Sequence, residues 1–285
     1  MRVLVLGVTG MLGSAVFRVF SQDPKYDVWG TLRSSRDKNH FSVASHDHLI
    51  AGIDVLDQDA LAKVLQKVRP QVVINCVGLI KQLAESKDPL SALPINSMLP
   101  HRLANLCGLI EARLFHVSTD CVFSGQKGGY TENDLSDAHD LYGRSKFIGE
   151  LHDYSNAITL RTSIIGHELS SNYALIDWFL SQSGVVNGFS RAIFSGLPTV
   201  ELARVMKEFV VPSEGLCGLF HVAAQPISKF DLLQLVAQQY GKDIEIKPDD
   251  SLVIDRSLDS ERFRQATGYV APDWPGLISM MHAAR

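Results

Sequence analysis

Long uninterrupted apolar runs are missing from this chain, as are a charge excess of either sign and any clustering of cysteine. Each absence removes a class of protein. Without an uncharged stretch of about 20 residues, no membrane-spanning helix is expected. The 27 basic and 31 acidic residues nearly cancel to a net charge of -4, so no basic face for nucleic acid is implied. A small anionic ligand stays compatible, because helix ends and single arginines hold phosphate against a weakly negative background. The four cysteines, Cys76, Cys107, Cys121 and Cys217, are scattered, lack CxxC spacing and form no zinc-ligand pattern with histidine. Reduced thiols in a cytoplasmic protein are the expectation, with no metal site and no classical secretion signal before the first strand. Internal repeats and low-complexity segments are also missing.

What is there is an alternation of strands and helices over 285 residues, 46% of them hydrophobic. That length suits one large α/β unit with a smaller lobe, or two modest domains. Residues 2–6 read as a buried strand, followed by a glycine-rich turn and a helix with Ala15, Val16, Val19 and Phe20 at helical spacing. Strands are expected at 26–32, 53–55, 71–76, 112–118 and 158–160, and helices around Leu61, Val64, Leu65 and Val68, at 99–107 and at 142–152. The polar stretch 33–48, with His40, His46 and His48, reads as solvent-facing loop. Amphipathic crossover helices must bury their faces on a sheet. The fold class predicted is therefore α/β: a Rossmann-type doubly wound parallel sheet with a smaller, interwoven C-terminal substrate lobe. Residues 1–165 would form the nucleotide-binding domain and 166–285 mainly the lobe, with a strand near 218–224 returning to the sheet. Helices are expected in the lobe at 172–182, 198–211 and 258–267, and another where Ser228 and Asp231 make a capping box and the apolar positions run to Tyr240.

Gly7, Gly10 and Gly13 sit in GVTGMLG, between the first strand and its helix. Glycine there lets backbone approach a diphosphate and lets the helix pack closely. The turn predicts a dinucleotide cradle from Gly7, Thr9, Gly10, Met11, Leu12 and Gly13. An acidic residue at the end of the second strand would accept hydrogen bonds from an NAD ribose; this chain has Arg33 and Ser34 there instead. Arginine pairs with a 2'-phosphate, so NADPH is favoured and NADH remains compatible. Asp54 and Val55 are candidate adenine contacts, and equally a turn carboxylate beside a core valine.

Tyr142 and Lys146 lie four apart in YGRSK, on one face of the expected helix. An ammonium beside a phenol favours phenolate, and such a tyrosine exchanges a proton with an alcohol or ketone. Ser118 and Thr119 end a strand upstream, where a hydroxyl can polarise the same carbonyl. Together these residue types describe carbonyl reduction.

GVTGMLG at 7–13, NCVG at 75–78, STDCVF at 118–123, YGRSK at 142–146 and LRTS at 160–163 resemble, in this order, the extended short-chain dehydrogenase/reductase family. The resemblance is to its dTDP-4-dehydrorhamnose reductase-like branch. It implies NAD(P)H-dependent reduction of a keto group on a nucleotide-linked deoxysugar. By motif position it implies Thr119 as the polarising hydroxyl, Tyr142 as acid and Lys146 as its helper. Asn75, Cys76 and Val77 would line the cofactor, and Thr119, Cys121 and Tyr142 the sugar. Lys81 and Arg191 are further candidate substrate contacts; the other readings are an ordinary surface lysine and, favoured for Arg191, a salt-bridged loop arginine. The resemblance leaves Mg²⁺ and a homo-oligomer open. Two departures concern the substrate pocket: Cys121 replaces a tyrosine, and LIKQL at 79–83 replaces a small, acidic-flanked segment. Nucleotide-sugar epimerases and dehydratases share the glycine turn and the Tyr–Lys pair, and a third reading is an NADP-binding regulatory subunit without turnover.

Overall fold

The computed structural model describes residues 1–81 and 84–285. The chain divides into two compact units: Met1–Ser118 with Asp140–Leu160 and Gly215–Leu219, and Thr119–His139 with Arg161–Glu214 and Phe220–Arg285.

In chain order the sheet-forming half contains β1 (Arg2–Leu6), α1 (Met11–Ser21), β2 (Asp27–Leu32), β3 (Leu49–Ala51), α2 (Gln58–Val68) and β4 (Val72–Asn75). After these come α3 (Pro89–Ala92), a π-helical segment (Leu93–Met98), α4 (Leu99–Leu109), β5 (Arg113–Thr119), α5 (Leu141–Ile148) and β6 (Ala157–Thr162). The sheet has seven strands in the order Gly218–His221, β6, β5, β4, β1, β2, β3. Parallel pairs set β1 between β2 and β4, with Leu6 opposite both Thr31 and Asn75. The order reverses at β1, and the crevice beyond its carboxyl end is where such sheets take ligands. Strands such as β1 and β4 are buried on nearly every residue because helices must cover both faces. One face packs Leu61, Val64, Leu65 and Val68 of α2 with Leu99, Leu103 and Cys107 of α4 against Leu4, Leu6 and Leu114.

The third strand lies at Leu49–Ala51, not at 53–55. Gly52 turns the chain out of the sheet with φ +78°, and the Asp54 carboxylate accepts from Leu56 N at 2.9 Å to form the turn before α2. The stretch 33–48 holds two short 3₁₀ helices, Ser35–His40 and Val43–His48. Within it His46 contacts the carbonyls of Lys38 and Phe41, and His48 pairs with Asp27. Helix α5 stops at Ile148 rather than near 152, because Gly149 closes it.

The second unit is built from short strand pairs and helices. Val185–Phe189 runs parallel to Glu245–Asp249, and Ala192–Phe194 lies between Ile227–Ser228 and Ile254–Asp255. Helices occupy Leu175–Ser181, Thr199–Val205, Lys229–Tyr240, Glu261–Thr267 and Trp274–Ala283, the last of them absent from the sequence expectation. The Ser228 hydroxyl caps its helix by accepting from Asp231 N at 3.0 Å. Arg161, 2% exposed, lies over the Phe123 ring and donates to His221 Nε2 at 2.8 Å. Because guanidinium only donates, Nε2 is the acceptor, and His221 Nδ1 carries the proton that reaches Tyr130 O at 3.0 Å. Among the described residues no helix is long and apolar enough to cross a membrane.

One contact fixes where α1 begins. A β-carbon at position 13 would stand 2.1 Å from Gly7 O and 2.8 Å from Gly7 C, both backbone atoms that cannot swing away. Gly13→Ala should therefore cost about 2 kcal/mol or more of stability. Urea unfolding followed by circular dichroism measures it; an unchanged midpoint would reject the close approach.

Candidate functional site

The turn after β1 presents backbone rather than side chains. Gly7 has φ +80°, its N–H donates to Thr31 Oγ1 at 3.3 Å, and Val8 N donates to Thr31 O. Gly10 is the N-cap of α1 and has no side chain to occupy the first amides. The first amides of the helix and its positive end are therefore not covered by a capping side chain, a geometry that suits an anion. Thr9 and Met11 are partly exposed on this turn, while Leu12 is buried in the core.

Arg33 and Ser34 follow directly on β2 and are exposed. The backbone brings this tip to the end of β3: Gly52 N donates to Arg33 O at 3.2 Å and Ile53 N to Leu32 O. Asp54 is exposed just beyond, and Val55 packs partly into the core. Ser34 Oγ accepts from Arg36 N, capping the first 3₁₀ helix. These candidates share one strand-end rim.

At the tip of β4, buried Asn75 accepts from Val77 N at 3.1 Å and its Nδ2 reaches His116 Nδ1 at 3.2 Å. Burial holds the His116 imidazole well below its ordinary pKa, with Lys146 adding to the effect, so it stays neutral and can accept from Asn75. Val77 is in turn the nearest neighbour a side chain at Gly7 would meet. Cys76 N donates to Leu6 O, and desolvation pushes its thiol up to about 12, away from nucleophilic behaviour.

Tyr142 and Lys146 lie on α5, which Asp140 caps by accepting from Gly143 N at 2.8 Å. Lys81 Nζ pairs with the same Asp140 at 2.6 Å, so this candidate stands at the start of α5; Gln82 and Leu83 of the LIKQL segment fall outside the described residues. Lys146 is 6% exposed and donates to Val117 O at 2.7 Å. Desolvation lowers its pKa to about 8, against the pull of Glu150. Ser118 donates to buried Glu150 at 2.6 Å. That bond gives the Ser118 hydroxyl a structural partner and separates its role from that of Thr119.

Two positions here escaped the sequence reading. Glu150 stands four residues after Lys146, a spacing visible in the sequence but ordinarily solvent-facing. Asn96 sits in the π-helical segment, 1% exposed. It accepts from Leu79 N at 2.9 Å and donates to Ser145 Oγ at 3.2 Å, and it borders Gly78 beside the Lys146 ammonium. Pro100 has no N–H to return to the Asn96 carbonyl, and Gly149 packs against that carbonyl, where a β-carbon would stand 2.0 Å away. The signal was a lone polar residue in an apolar helical run.

Thr119 belongs to the second unit. Its hydroxyl accepts from Cys121 N and donates to Asp120 Oδ1, both at 3.1 Å, capping the 3₁₀ turn Asp120–Val122. Desolvation raises the Asp120 pKa, opposed chiefly by Arg256 and by the Thr119 hydrogen bond. Arg256 Nη1 donates to Cys121 Sγ at 3.9 Å. Arg191 is exposed in the turn between Val185–Phe189 and Ala192–Phe194, away from that cluster in the chain, and its carbonyl accepts from Ile254 N. Among the described residues no group of His, Cys, Asp and Glu is arranged to hold a metal ion.

Strand order, glycine turn and the Tyr–Lys helix define a dinucleotide-binding fold of the extended short-chain dehydrogenase/reductase type. The chain belongs to the family described as the RmlD substrate binding domain, which it matches over residues 1–260. Among its relatives, methionine adenosyltransferase 2 subunit beta of Mus musculus is 28% identical over 260 residues, covering 84% of this chain and 72% of that protein. The probable low-salt glycan biosynthesis reductase Agl14 of Haloferax volcanii is 27% identical over 254 residues, covering 85% and 81%. A hypothetical dTDP-4-dehydrorhamnose reductase from Sulfolobus tokodaii superposes with a TM-score of 0.78 at 26% identity, over 97% of this chain and 99% of that one. The dTDP-4-dehydrorhamnose reductase of Bacillus anthracis in complex with NADP shares the fold, with a TM-score of 0.81 at 20% identity over 100% and 99% of the chains.

The Lys146 environment has a measurable consequence. Folded, Lys146 gives up its proton near pH 8; unfolded, near 10.5. Between those values the unfolded chain binds more protons, so stability contributed through this residue rises with pH. Relative to Lys146→Met, the wild type should gain on the order of 2 kcal/mol between pH 7.5 and 10. Urea unfolding of both proteins at the two pH values tests it; parallel changes would show that Lys146 keeps an ordinary pKa.

Proposed function

We propose that this chain reduces a keto group on a nucleotide-linked deoxysugar, using NADPH. The observation that carries the reading is a desolvated lysine, hung from Val117 O, one helical turn after Tyr142 and beside the strand that ends in Thr119. The turn at Gly7–Gly13 suits a dinucleotide diphosphate, because the Gly10 N-cap places no side chain over the first helical amides and no β-carbon could be accommodated at Gly13. Arg33 and Ser34 would hold the 2'-phosphate, Asp54 and Val55 the adenine, and Asn75, Cys76 and Val77 the opposite wall. When bound, the reduced nicotinamide supplies the hydride.

The chain's own residues manage the proton and the charge. Tyr142 gives its phenolic proton to the ketone oxygen, and the Lys146 ammonium makes the resulting phenolate less costly. With Val117 O taking one N–H, further Lys146 donors serve a ribose hydroxyl. Thr119 turns its hydroxyl from Asp120 toward the ketone oxygen, a rotor change that keeps its bond from Cys121 N. Lys81, Cys121 and Arg191 are assigned to the substrate, with Cys121 nearest the sugar. The relatives named as methionine adenosyltransferase subunits support a second reading, a cofactor-binding partner of another enzyme.

NADPH oxidation measured against a panel of dTDP-, UDP- and GDP-linked 4-keto-deoxysugars, with products followed by mass, separates the readings. Reduction adds two hydrogens to the sugar with matching NADPH loss; conversion without net NADPH loss would indicate an epimerase or dehydratase. Tight NADPH binding with no turnover of any sugar would indicate the subunit role. Tyr142→Phe should lower turnover about 100-fold or more while NADPH binding persists; equal turnover would remove Tyr142 from the chemistry. Arg33→Ala should weaken NADPH about tenfold relative to NADH, and calorimetry showing unchanged discrimination would reject Arg33 as the phosphate reader.

A further inference from the structure

Glu150 puts a carboxyl group where charge is costly. Its side chain is fully buried, and the backbone on either side holds it there. Gly149 lies against the Asn96 carbonyl, and Leu151 N donates to Thr159 Oγ1 at 2.9 Å. Gly149 N donates to Ser145 O and Lys146 O, and Glu150 N to Phe147 O, so the helical path runs on past Ile148. Glu150 therefore stands at i+4 from Lys146, on the same side of α5. The two side chains land on consecutive residues of β5. Lys146 Nζ donates to Val117 O at 2.7 Å, and Glu150 Oε1 accepts from Ser118 Oγ at 2.6 Å.

A glutamine would accept the same Ser118 bond without the cost of burying a charge. What only a carboxylate supplies there is negative charge behind a buried lysine. Its field favours the protonated form of Lys146, against desolvation. His116, which faces the lysine from β5, is neutral and offers no counter-charge. The other titratable group at the carboxylate is His152, 45% exposed, whose Nε2 lies 3.6 Å from Glu150 Oε2. A hydroxyl donor, an ammonium and an imidazole around one carboxyl group all favour its ionised form.

We infer that Glu150 is a further positioning residue of the proposed reaction, a buried anion that holds the Lys146 ammonium charged and in place while Tyr142 becomes phenolate. The inference rests on the reductase reading of Tyr142 and Lys146. Glu150 exchanges no proton with the substrate; it acts through the lysine alone.

Two measurements on the full-length chain test it, and the first needs no turnover. At neutral pH, Glu150→Gln should lower the urea midpoint of the wild type. In a Lys146→Met chain, where the carboxylate has lost its counter-charge, the same substitution should leave the midpoint unchanged or raise it. Equal losses in both backgrounds would mean that the carboxyl group is neutral or serves only Ser118, and would overturn the inference. If Glu150→Gln alone fails to fold, folding of the double variant supports the pairing, and its failure in a foldable Lys146→Met background overturns it.

The second measurement is kcat for the keto-sugar against pH. Reduction should fall as Lys146 loses its proton, near pH 8 in the wild type. The fall should come about one pH unit lower in Glu150→Gln, and Glu150→Asp, which keeps the charge, should restore most of the difference. His152→Ala should move the fall less; a larger shift there would assign the effect to the histidine and overturn the inference. A fall that stays in place, or moves equally in the Gln and Asp variants, would leave Glu150 a structural ion-pair partner and overturn its part in the proton step. Coupling between Glu150 and Lys146 in a chain that turns over no keto-sugar would leave the pairing standing and remove the reductase reading.

Discussion

The carbonyl of Gly7 occupies the place where any residue but glycine at position 13 would put its β-carbon. This single approach brings α1 down onto the end of β1, and much of the first unit follows from it. The helix can begin within hydrogen-bonding reach of the strand, its first amides stay open, and the crevice between β1 and β4 has backbone for a wall. Thr31 from β2 and Val77 from beyond β4 close on the same turn from either side. A side chain at Gly13 would lift the helix and open all of these contacts together.

A second cost is carried in the same unit. Lys146 is kept out of water, and its ammonium is answered by one backbone carbonyl and by the field of Glu150. A buried charge with few partners is destabilising. The neighbourhood is arranged to tolerate it. Asn96 is held by Leu79 and Ser145, Ser118 satisfies Glu150, and His116 remains neutral beside the lysine. Pro100, after the π-turn that presents Asn96, has no N–H for the Asn96 carbonyl, and Gly149 packs against that carbonyl.

The second unit works by different means. Its strands are short and its order comes from specific joints: Arg161 across Phe123 onto His221, and the loop after Thr119 sewn to Ile254–Asp259 through backbone bonds. Such joints have little periodicity for a sequence pattern to reveal. The pair Val185–Phe189 and Glu245–Asp249 links segments more than fifty residues apart, and the second strand is mostly polar. The final helix, Trp274–Ala283, is apolar enough to be buried but begins Asp-Trp-Pro, a start that reads as a turn until Asp273 is seen capping Gly276 N.

Sequence by itself determined the parallel sheet, the glycine turn, the Tyr–Lys face of α5 and the capped helix at Lys229–Tyr240. In each of these the deciding interactions are local: spacing on one helix, a strand run directly followed by glycine, a serine three residues before an aspartate. It misplaced β3 because Ile53 and Val55 are as apolar as Leu49 and Ile50, and only the register against Gly30–Leu32 separates them. Tertiary structure alone decided that Ser118 goes to Glu150 while Thr119 caps the next turn. It alone brought Asn96 to the lysine and set Arg256 against Cys121, 135 positions earlier in the chain. The physical reason is that a hydrogen bond or a desolvated charge is fixed by what packs around it in space, and those partners come from parts of the chain that carry no mark of one another.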